Sequence, residues 1–272
     1  MDSQELPIEE IRAHCSTLYN RIIDLYLLRK TQKEICNMLN IKRHTIDILV
    51  KRYKLGRFRD RKQSYCKNIN PEDPKFWYFL GVFASDGNLY LKSNSVDTIQ
   101  FTMDDADALN CIRDILDCTN KVKKYNKLGK ERFYLSISDA SLIKTVREIF
   151  HSDCYRKTQT LTFPAIKNKE QMEMFLRGFS DGDGSFAKSR ITGFYNFKVF
   201  CASKKFIQEL YKILISIVNE RVHLYKDAYI EVSAQKQVYL LCKYLYSNNL
   251  EIGIKRKQER AMQHIRNYEV KI

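Results

Sequence analysis

Two aspartates occupy matching positions in this chain and suit metal-dependent chemistry. Asp86 and Asp183 each precede a glycine at the end of an apolar stretch, FLGVFASDG (79–87) and LRGFSDGDG (176–184). A carboxylate at the C-terminal end of a helix opposes the helix dipole, and two such carboxylates brought together repel each other. A divalent cation such as Mg²⁺ offsets both effects, because carboxylate oxygens and water are ligands that it prefers. We therefore predict that Asp86 and Asp183 are catalytic residues and metal ligands.

Small residues on the two predicted helices indicate how these acids come together. Gly81 and Ser85 are four residues apart, as are Gly178 and Gly182. Residues at this spacing share one face of a helix, and small side chains let two helix backbones approach closely. We expect these four residues to form an interface between the two helices, so that the helix ends converge.

The two acids belong to an internal repeat. Asp73 and Pro74 are a favourable N-cap and first residue for one helix, and Asn168 plays the same part in the second copy. Downstream, the segment IQFTMDDADALNCIRDIL matches FKVFCASKKFIQELYKIL, and KVKKYNKLGKERFYLSIS matches RVHLYKDAYIEVSA. Each copy reads as helix, two strands, helix, two strands, helix. The predicted fold class is α+β, with two pseudo-symmetric αββαββα repeats at 73–166 and 167–272.

Alternation along the predicted strands separates an apolar face from a polar face. Leu89, Leu91 and Ile99 are among the residues expected to face the core. A sheet face that carries Lys, Arg, Tyr and Gln packs poorly but suits contacts with nucleic acid. The candidate DNA contacts on this face are Tyr90, Lys92, Gln100, Thr102, Lys123, Arg132 and Tyr134 in the first repeat, and Lys198, Arg221, His223 and Tyr229 in the second.

Residues 1–56 predict a small all-α domain of the helix-turn-helix type. Two short amphipathic helices are separated at Asn40, a residue that tolerates the left-handed turn conformation. In a helix-turn-helix the second helix enters the major groove, whereas a plain helical hairpin with a solvated basic face is the alternative. The candidate contacts there are Lys42, Arg43, His44, Thr45, Lys51 and Arg52. A basic linker follows at 57–72, and its candidate phosphate contacts are Arg57 and Arg59.

The overall charge favours a polyanionic partner. The chain has 47 Lys+Arg against 32 Asp+Glu, a formal net charge of +15. Such a balance suits nucleic acid first, and a pair of acids on a positively charged surface suits phosphodiester hydrolysis. No apolar run is long enough to cross a membrane, and the acidic N-terminus does not read as a secretion signal. We expect no nucleotide cofactor, since no GxxxxGK loop occurs. We expect a protein that is not secreted and is located in the cytoplasm or wherever its DNA target resides.

The segments 79–87 and 176–184 resemble the two LAGLIDADG motifs of single-chain homing endonucleases, and the resemblance extends from Pro71 to the C-terminus. It implies that each repeat lays a four-stranded sheet into the major groove of a long, pseudo-palindromic double-stranded DNA site. It also implies that Asp86 and Asp183 bind metals at the centre of that site. A monomer with internal pseudo-twofold symmetry would use Mg²⁺, with Mn²⁺ as a substitute, and would cut both strands to leave short 3′ overhangs.

The resemblance also implies that a basic residue from each repeat assists catalysis near the scissile phosphate. Lys157 and Lys257 match that position, and Lys255 is a second choice in the second repeat. Positioning of phosphate alone is the alternative role for both lysines. The first motif departs from the family pattern, because Ala84 stands where the family has its first acid. The second motif keeps that acid as Asp181.

Three functions remain open from the sequence. The first is a sequence-specific double-strand DNA endonuclease of the homing type. The second is a DNA-binding transcription regulator without catalysis. Some transcription regulators join a LAGLIDADG fold that has lost catalysis to a helix-turn-helix, and this chain also joins the two. Such members are expected to lose the acids, whereas Asp86 and Asp183 are both present. The third is an intron RNA maturase, which a helix-turn-helix disfavours because that module suits the major groove of duplex DNA.

Overall fold

A computed structural model describes residues 7–28, 30, 32–53, 55, 66–91, 97–152, 154, 157–189, 193, 195–248 and 251–270. The chain divides into two compact units, Met1–Gln63 and Ser64–Ile272. Three of the predicted DNA contacts lie outside the described residues, namely Lys92, Arg57 and Arg59.

The N-terminal unit is helical in its described part. Its core is formed by side chains from all four helices and is centred on Ile22, Ile35 and Ile46. Asn40, between the third and fourth helices, adopts a left-handed conformation with φ 49°, as its residue type allows. The helices are α1 (Ile8–Ala13), α2 (Thr17–Leu27), α3 (Gln32–Leu39) and α4 (Arg43–Arg52).

The first repeat of the larger unit has the predicted order of elements. Its four strands form one antiparallel sheet in the order β1-β2-β4-β3. A short additional helix, α8, follows the third long helix. The elements are α5 (Pro74–Asp86), β1 (Gly87–Tyr90), β2 (Thr98–Met103), α6 (Ala106–Ile115), β3 (Lys123–Lys127), β4 (Lys130–Ile137), α7 (Ala140–Phe150) and α8 (Lys157–Thr160).

The second repeat has the same order of elements and the equivalent sheet order, β5-β6-β8-β7. The predicted pair of αββαββα repeats is therefore confirmed, with α8 and α12 as additions. None of the helices in the described ranges is both long and apolar enough to cross a membrane. The elements are α9 (Lys169–Asp183), β5 (Gly184–Lys188), β6 (Tyr195–Phe200), α10 (Lys204–Val218), β7 (Val222–Tyr225), β8 (Tyr229–Val232), α11 (Gln235–Tyr246) and α12 (Lys255–Glu269).

The two helices that carry the acids begin and end as their sequences predict. The side chain of Asp73 accepts a hydrogen bond from the Lys75 backbone N–H at 2.9 Å, and Pro74 is the first helical residue of α5. Asp86 and Asp183 are the last residues of α5 and α9.

The glycines that follow the two acids, Gly87 and Gly184, are required by close packing. Their backbones are extended, with φ −70° and −82°, so the left-handed conformation is not the reason for glycine. A Cβ on Gly87 would lie 2.8 Å from the Phe83 carbonyl oxygen, and one on Gly184 would lie 2.5 Å from that of Ser180. Each strand therefore leaves its helix against the last helical turn.

The core of the larger unit lies between the helices and the inner faces of both sheets. Leu89, Ile99 and the other strand residues predicted to face inward are buried or half-buried, with one exception. Leu91 is 50% exposed, because β1 ends one residue earlier at Tyr90. Thr98, which alternation places on the polar face, is buried and shares a hydrogen bond with the Ser138 hydroxyl at 2.7 Å.

Candidate active site at two converging helix ends

Helices α5 and α9 pack against each other through their glycines. A Cβ on Gly81 would collide with the Phe175 carbonyl oxygen and would lie 2.7 Å from the backbone nitrogen of Phe179. A Cβ on Gly178 would collide with the Tyr78 carbonyl oxygen. Only glycine permits this approach of two backbones, because any other side chain would force the helices apart.

The contacts between α5 and α9 advance in the same direction along both helices. Tyr78 lies against Gly178 near the start of the interface, and Ser85 lies against Gly182 near its end. The helices therefore run parallel, and their C-terminal ends converge. The four small residues singled out in the sequence all lie in this contact, which brings Asp86 and Asp183 to the same place.

The two converging acids have raised pKa values, and burial is the main cause for both. Burial, followed by the negative charge of Asp86, raises the pKa of Asp183 to about 6. Burial also raises the pKa of Asp86, and the ammonium groups of Lys157 and Lys257 oppose this shift. Two half-buried carboxyl groups with raised pKa values form a site that a cation stabilises.

Both predicted lysines are buried at the ends of these helices. Lys157 is 8% exposed and donates hydrogen bonds to the carbonyl oxygens of Ala84 at 2.6 Å and Ser85 at 2.9 Å. Lys257 is 5% exposed and donates to the Asp181 carbonyl at 2.5 Å and the Gly184 carbonyl at 2.6 Å. The lysines therefore satisfy the carbonyls that end each helix and place a positive charge at the negative end of each helix dipole.

The second-choice lysine, Lys255, takes a different position. Its side chain is exposed at the start of α12, and its backbone N–H donates to the Asp107 carboxylate at 3.4 Å. Lys257, two residues later, is the lysine of this helix that reaches α9.

Burial lowers the pKa of Lys157 to about 8, whereas the charges of Asp183 and Asp86 raise it. The Lys257 pKa is lowered for the same first reason, and Asp181 opposes the shift.

Asp181 has a structural role that was not predicted from the sequence. Its carboxylate is buried and accepts hydrogen bonds from the hydroxyl groups of Tyr78 at 3.0 Å and Tyr246 at 2.9 Å, and from the Ile254 backbone N–H at 2.9 Å. Burial and the adjacent Asp181 carboxylate raise the pKa of both tyrosines, so they remain protonated donors. Since Ile254 caps α12, Asp181 ties the helix that carries Lys257 to α9.

Arg177 completes this buried network. Its guanidinium lies 5.0 Å from the Tyr246 ring and donates to the carbonyl oxygens of Asn248, at 2.7 Å, and Ile252. The segment that leads into α12 is therefore held from two successive turns of α9. The first repeat has Ala84 at the position of Asp181, so its lysine reaches the helix end without this acid.

Replacing Asp181 with alanine is expected to lower the stability of the larger unit by about 3 kcal/mol. Two buried hydroxyls and one backbone N–H would lose their acceptor, and buried cations would lose a partner. A loss of this size lowers Tm by roughly 6–12 °C in a unit of this length. Thermal unfolding followed by the fluorescence of Trp77, the only tryptophan, measures it. Asp114→Ala, at an exposed acid on α6, is the matched control, and an Asp181→Ala Tm within about 1 °C of wild type would refute this role.

The space beside Asp86 is polar. A cavity of about 200 Å³ is lined by Asp86, Gly182, Asp104, Arg132 and Arg256, among other residues. Arg132 pairs with Asp104 at 3.2 Å. The mouth of the site therefore carries exposed ions of both signs, and water reaches Asp86 from this side.

The donor set fits a hard divalent cation that keeps much of its water. Among the described residues, no group of three or more His, Cys, Asp or Glu side chains is placed to hold a metal. A zinc site needs three or four such ligands, whereas Mg²⁺ uses one or two carboxylates together with water and substrate phosphates. Asp86 and Asp183 supply two carboxylates, which suits Mg²⁺ and excludes a closed zinc site from this part of the chain.

The pKa of Asp183 predicts how the protein without metal responds to pH. A carboxyl whose folded-state pKa is raised to about 6 stabilises the folded protein when the pH is below the ordinary pKa of the group. This stabilisation is lost as the pH rises through 6. Asp183→Asn should therefore stabilise the metal-free protein at pH 8, by about 2 kcal/mol, and much less at pH 4.5. Trp77 fluorescence during thermal unfolding in EDTA measures the difference. Equal effects at the two pH values would contradict a raised pKa of Asp183.

The predicted DNA contacts on the sheets lie on one face of each sheet. Tyr90 is 47% exposed, and the contacts on β2 and β4 alternate with buried or half-buried core residues, whereas every residue of β3 is exposed or half-buried. In the second sheet His223 is exposed, and Lys198 lies 3.2 Å from the Glu231 carboxylate. Arg221 directly precedes β7 and is exposed. The predicted contacts that lie within the described residues are Tyr90, Gln100, Thr102, Lys123, Arg132, Tyr134, Lys198, Arg221, His223 and Tyr229.

The predicted contacts of the N-terminal unit lie on or beside α4. Lys42 caps the helix, which begins at Arg43, and five of the six residues are exposed, with Thr45 half-buried. Arg43 donates to the Gln32 side chain at 2.9 Å, which links α4 to α3. The exposed residues are Lys42, Arg43, His44, Lys51 and Arg52.

No protein-family model matches this sequence, and no curated protein matches it either. A structure of mesophilic variants of the homing endonuclease I-DmoI is similar over 70% of this chain and 97% of its own, with 14% identity and a TM-score of 0.49. The LAGLIDADG meganuclease I-AabMI bound to uncleaved DNA is similar over 73% and 91%, with 14% identity and a TM-score of 0.49. The N-terminal LAGLIDADG domain of DUF199/WhiA is similar over 67% and 86%, with 15% identity and a TM-score of 0.46. Similarity at this level assigns no activity to this chain.

Proposed function

We propose that this protein is a sequence-specific, metal-dependent endonuclease of double-stranded DNA. The observation that carries the proposal is the convergence of Asp86 and Asp183 at the ends of two glycine-packed helices. A buried lysine from another helix donates hydrogen bonds to the last turn of each of these two helices. The resemblance of both segments to LAGLIDADG motifs supports the same conclusion. On this proposal both strands of a long, pseudo-palindromic site are cut to leave short 3′ overhangs.

Asp86 and Asp183 hold divalent cations, with Mg²⁺ as the physiological ion and Mn²⁺ as a substitute. Such ions would supply activation of water and stabilisation of the leaving oxygen. The protein supplies two carboxylates whose spacing is fixed by the helix interface. Glycines at 81 and 178 fix that spacing, because they set the distance between the two backbones.

Lys157 and Lys257 hold the helix ends and shape the field around the acids. Each ammonium group lowers the pKa of Asp86 and Asp183, so both carboxyls lose their protons more readily. Lys157 also retains a positive charge near the acids up to a pH of about 8. A positive charge at this position attracts the phosphate group that must reach the acids. The lysines therefore act by positioning the helix ends and by drawing phosphate to them.

The polar faces of the two sheets are the proposed base-reading surfaces, and α4 of the N-terminal unit is a further DNA-binding element. The chain as a whole carries a formal net charge of +15, which suits a long polyanionic partner. Binding should weaken with salt, with a log–log slope of about −0.9 for each phosphate neutralised.

The proposal is tested with supercoiled plasmids that carry randomised inserts. The full chain is incubated with the library in Mg²⁺, in Mn²⁺ and in EDTA, and linear product is resolved on a gel. Linear DNA from a subset of plasmids in either metal, and none in EDTA, is the expected result. A chain that enriches particular plasmids in a pull-down but cuts none in either metal would instead be a DNA-binding regulator.

A further inference from the structure

Three aromatic side chains lie side by side across the second sheet. Phe200 at the end of β6 pairs with Tyr229 on β8, and Tyr229 pairs with Tyr225 on β7. The ring centroids of Phe200 and Tyr229 are 5.2 Å apart, and those of Tyr229 and Tyr225 are 4.7 Å apart and nearly parallel. Phe200, Tyr229 and Tyr225 are called the aromatic row below.

The aromatic row lies on the polar face of the sheet. Phe200 is 53% exposed and Tyr225 is 40% exposed, although their neighbours along the strands are buried or half-buried. Lys198 lies 5.8 Å from the Tyr229 ring, and the ring of the exposed His223 lies 6.2 Å from that of Tyr225. A single exposed aromatic residue is ordinary, but a contiguous exposed row next to a cation marks a binding surface.

The register places the aromatic row at the end of the sheet nearest the acids. Gly184, which directly follows Asp183, pairs with Val199, and Phe200 is the next residue along β6. Any DNA that reaches Asp183 therefore passes close to the row. The base pairs that the row contacts are those beside the cleavage position.

The first repeat has different chemistry at the same register. Gly87 pairs with Phe101, so Thr102 corresponds to Phe200. Thr102 pairs with Tyr134, and Tyr134 pairs with Lys123. The equivalent row is therefore threonine, tyrosine and lysine, with the Lys123 ammonium 5.7 Å from the Tyr134 ring. The central tyrosine is common to both repeats. The threonine and the lysine that flank it in the first repeat are replaced by the aromatic residues Phe200 and Tyr225 in the second.

Thymine carries the group that such a surface recognises. The C5-methyl of thymine is the apolar group that the standard bases present in the major groove, and phenylalanine is among the side chains that contact it. Three neighbouring strands span about 10 Å, which equals the rise of about three base pairs. We propose that the aromatic row reads thymine methyl groups in the half of the DNA site that the second repeat binds. This inference rests on the proposed function.

The test removes single methyl groups from a bound duplex. A preferred duplex is first selected from a randomised library with the full chain that carries Asp86→Asn and Asp183→Asn, so that the DNA stays intact. Each thymine of that duplex is then replaced in turn by deoxyuridine, which lacks only the methyl group. The ratio of the dissociation constants for the two duplexes is measured at each position.

One to three adjacent thymines beside the cleavage position should each show about fourfold weaker binding after the replacement. Adding Phe200→Ser and Tyr225→Ser should bring these ratios close to one. Two variants should keep the fourfold response: Phe200→Tyr, which retains a ring, and Val270→Ser, at an apolar residue that is 88% exposed outside the sheets. Lys123→Ala should weaken binding to the thymine and uracil duplexes equally.

Two results would overturn the inference while leaving the proposed function in place. The first is a selected duplex that the active chain cuts and in which no thymine methyl affects binding. The second is an unchanged response to uracil in the chain with serine at both positions of the row. A chain that selects no duplex at all would overturn the proposed function and the inference together.

Discussion

Asp183→Asn is expected to reduce DNA cleavage in Mg²⁺ by at least about 1,000-fold while leaving DNA affinity within about threefold of wild type. Asparagine keeps the shape of the side chain but removes the charge that holds a hard cation. Stabilisation by a metal ion is worth several kcal/mol in the transition state, and each 1.4 kcal/mol is a factor of ten in rate. Asp86→Asn should have the same effect, because Asp86 lies close enough to Asp183 for its charge to raise the Asp183 pKa. Single-turnover cleavage of a selected duplex measures the loss, and an equilibrium binding assay measures the affinity.

The control for this prediction is Asp104→Asn. Asp104 lines the same cavity as Asp86 but is exposed and paired with Arg132, so its replacement should change cleavage by less than about tenfold. Misfolding is excluded by stability, since Asp183→Asn should make the metal-free protein more stable at pH 8. If Asp183→Asn cuts at more than about a tenth of the wild-type rate, the carboxylate is not a metal ligand.

Gly178→Ala should lower the stability of the larger unit by about 2 kcal/mol. The new methyl group would collide with the Tyr78 carbonyl oxygen and would lie 3.0 Å from the backbone nitrogen of Val82, so α5 and α9 must separate. Overpacking of this kind costs about 3 kcal/mol, which exceeds the gain of about 1 kcal/mol in helix propensity. The expected fall in Tm is roughly 4–8 °C. Trp77 on α5 packs against Phe175 of α9, so its fluorescence reports directly on this interface.

Gly178→Ala should also reduce the rate of DNA cleavage, and by more than the loss of folded protein alone would cause. A displacement of about 1 Å in a catalytic group costs on the order of 100-fold in rate, and this interface sets the distance between the acids. Ser141→Ala, at an exposed position of α7, is the matched control and should leave both Tm and cleavage unchanged. A Gly178→Ala protein with wild-type Tm and rate would show that the helices do not need this contact.

The repeat, its element order and the position of the acids followed from local patterns. Helix starts such as Asp73–Pro74 and alternation in the strands are decided by neighbouring residues, and the structure follows them. The four-residue spacings of Gly81 with Ser85 and of Gly178 with Gly182 also predicted the interface, since small residues on one helix face allow two backbones to approach closely. Leu91 departed from the pattern because β1 ends before it, and alternation does not indicate where a strand stops.

The support behind the acids could not be read from the sequence. Asp181 is 65 residues from Tyr246 and 73 from Ile254 along the chain, so their hydrogen bonds depend on the packing of α11 and α12 against α9. The lysines were placed by resemblance, but their bonds to the helix-end carbonyls depend on burial that no local pattern indicates. Tyr229 was predicted as a DNA contact, but its place in the aromatic row was missed for a similar reason. Phe200, Tyr225 and Tyr229 become neighbours only through the pairing of three strands.

The most direct test of the central claim maps both strand ends of a cleaved duplex, with wild type beside the Asp86→Asn, Asp183→Asn double variant. The wild-type protein should break both strands of one site in Mg²⁺, leaving staggered 3′ ends. The double variant should bind the same site and leave both strands whole. Strand breaks by the double variant at the wild-type positions would contradict the claim. So would tight binding by wild type with no break in either Mg²⁺ or Mn²⁺.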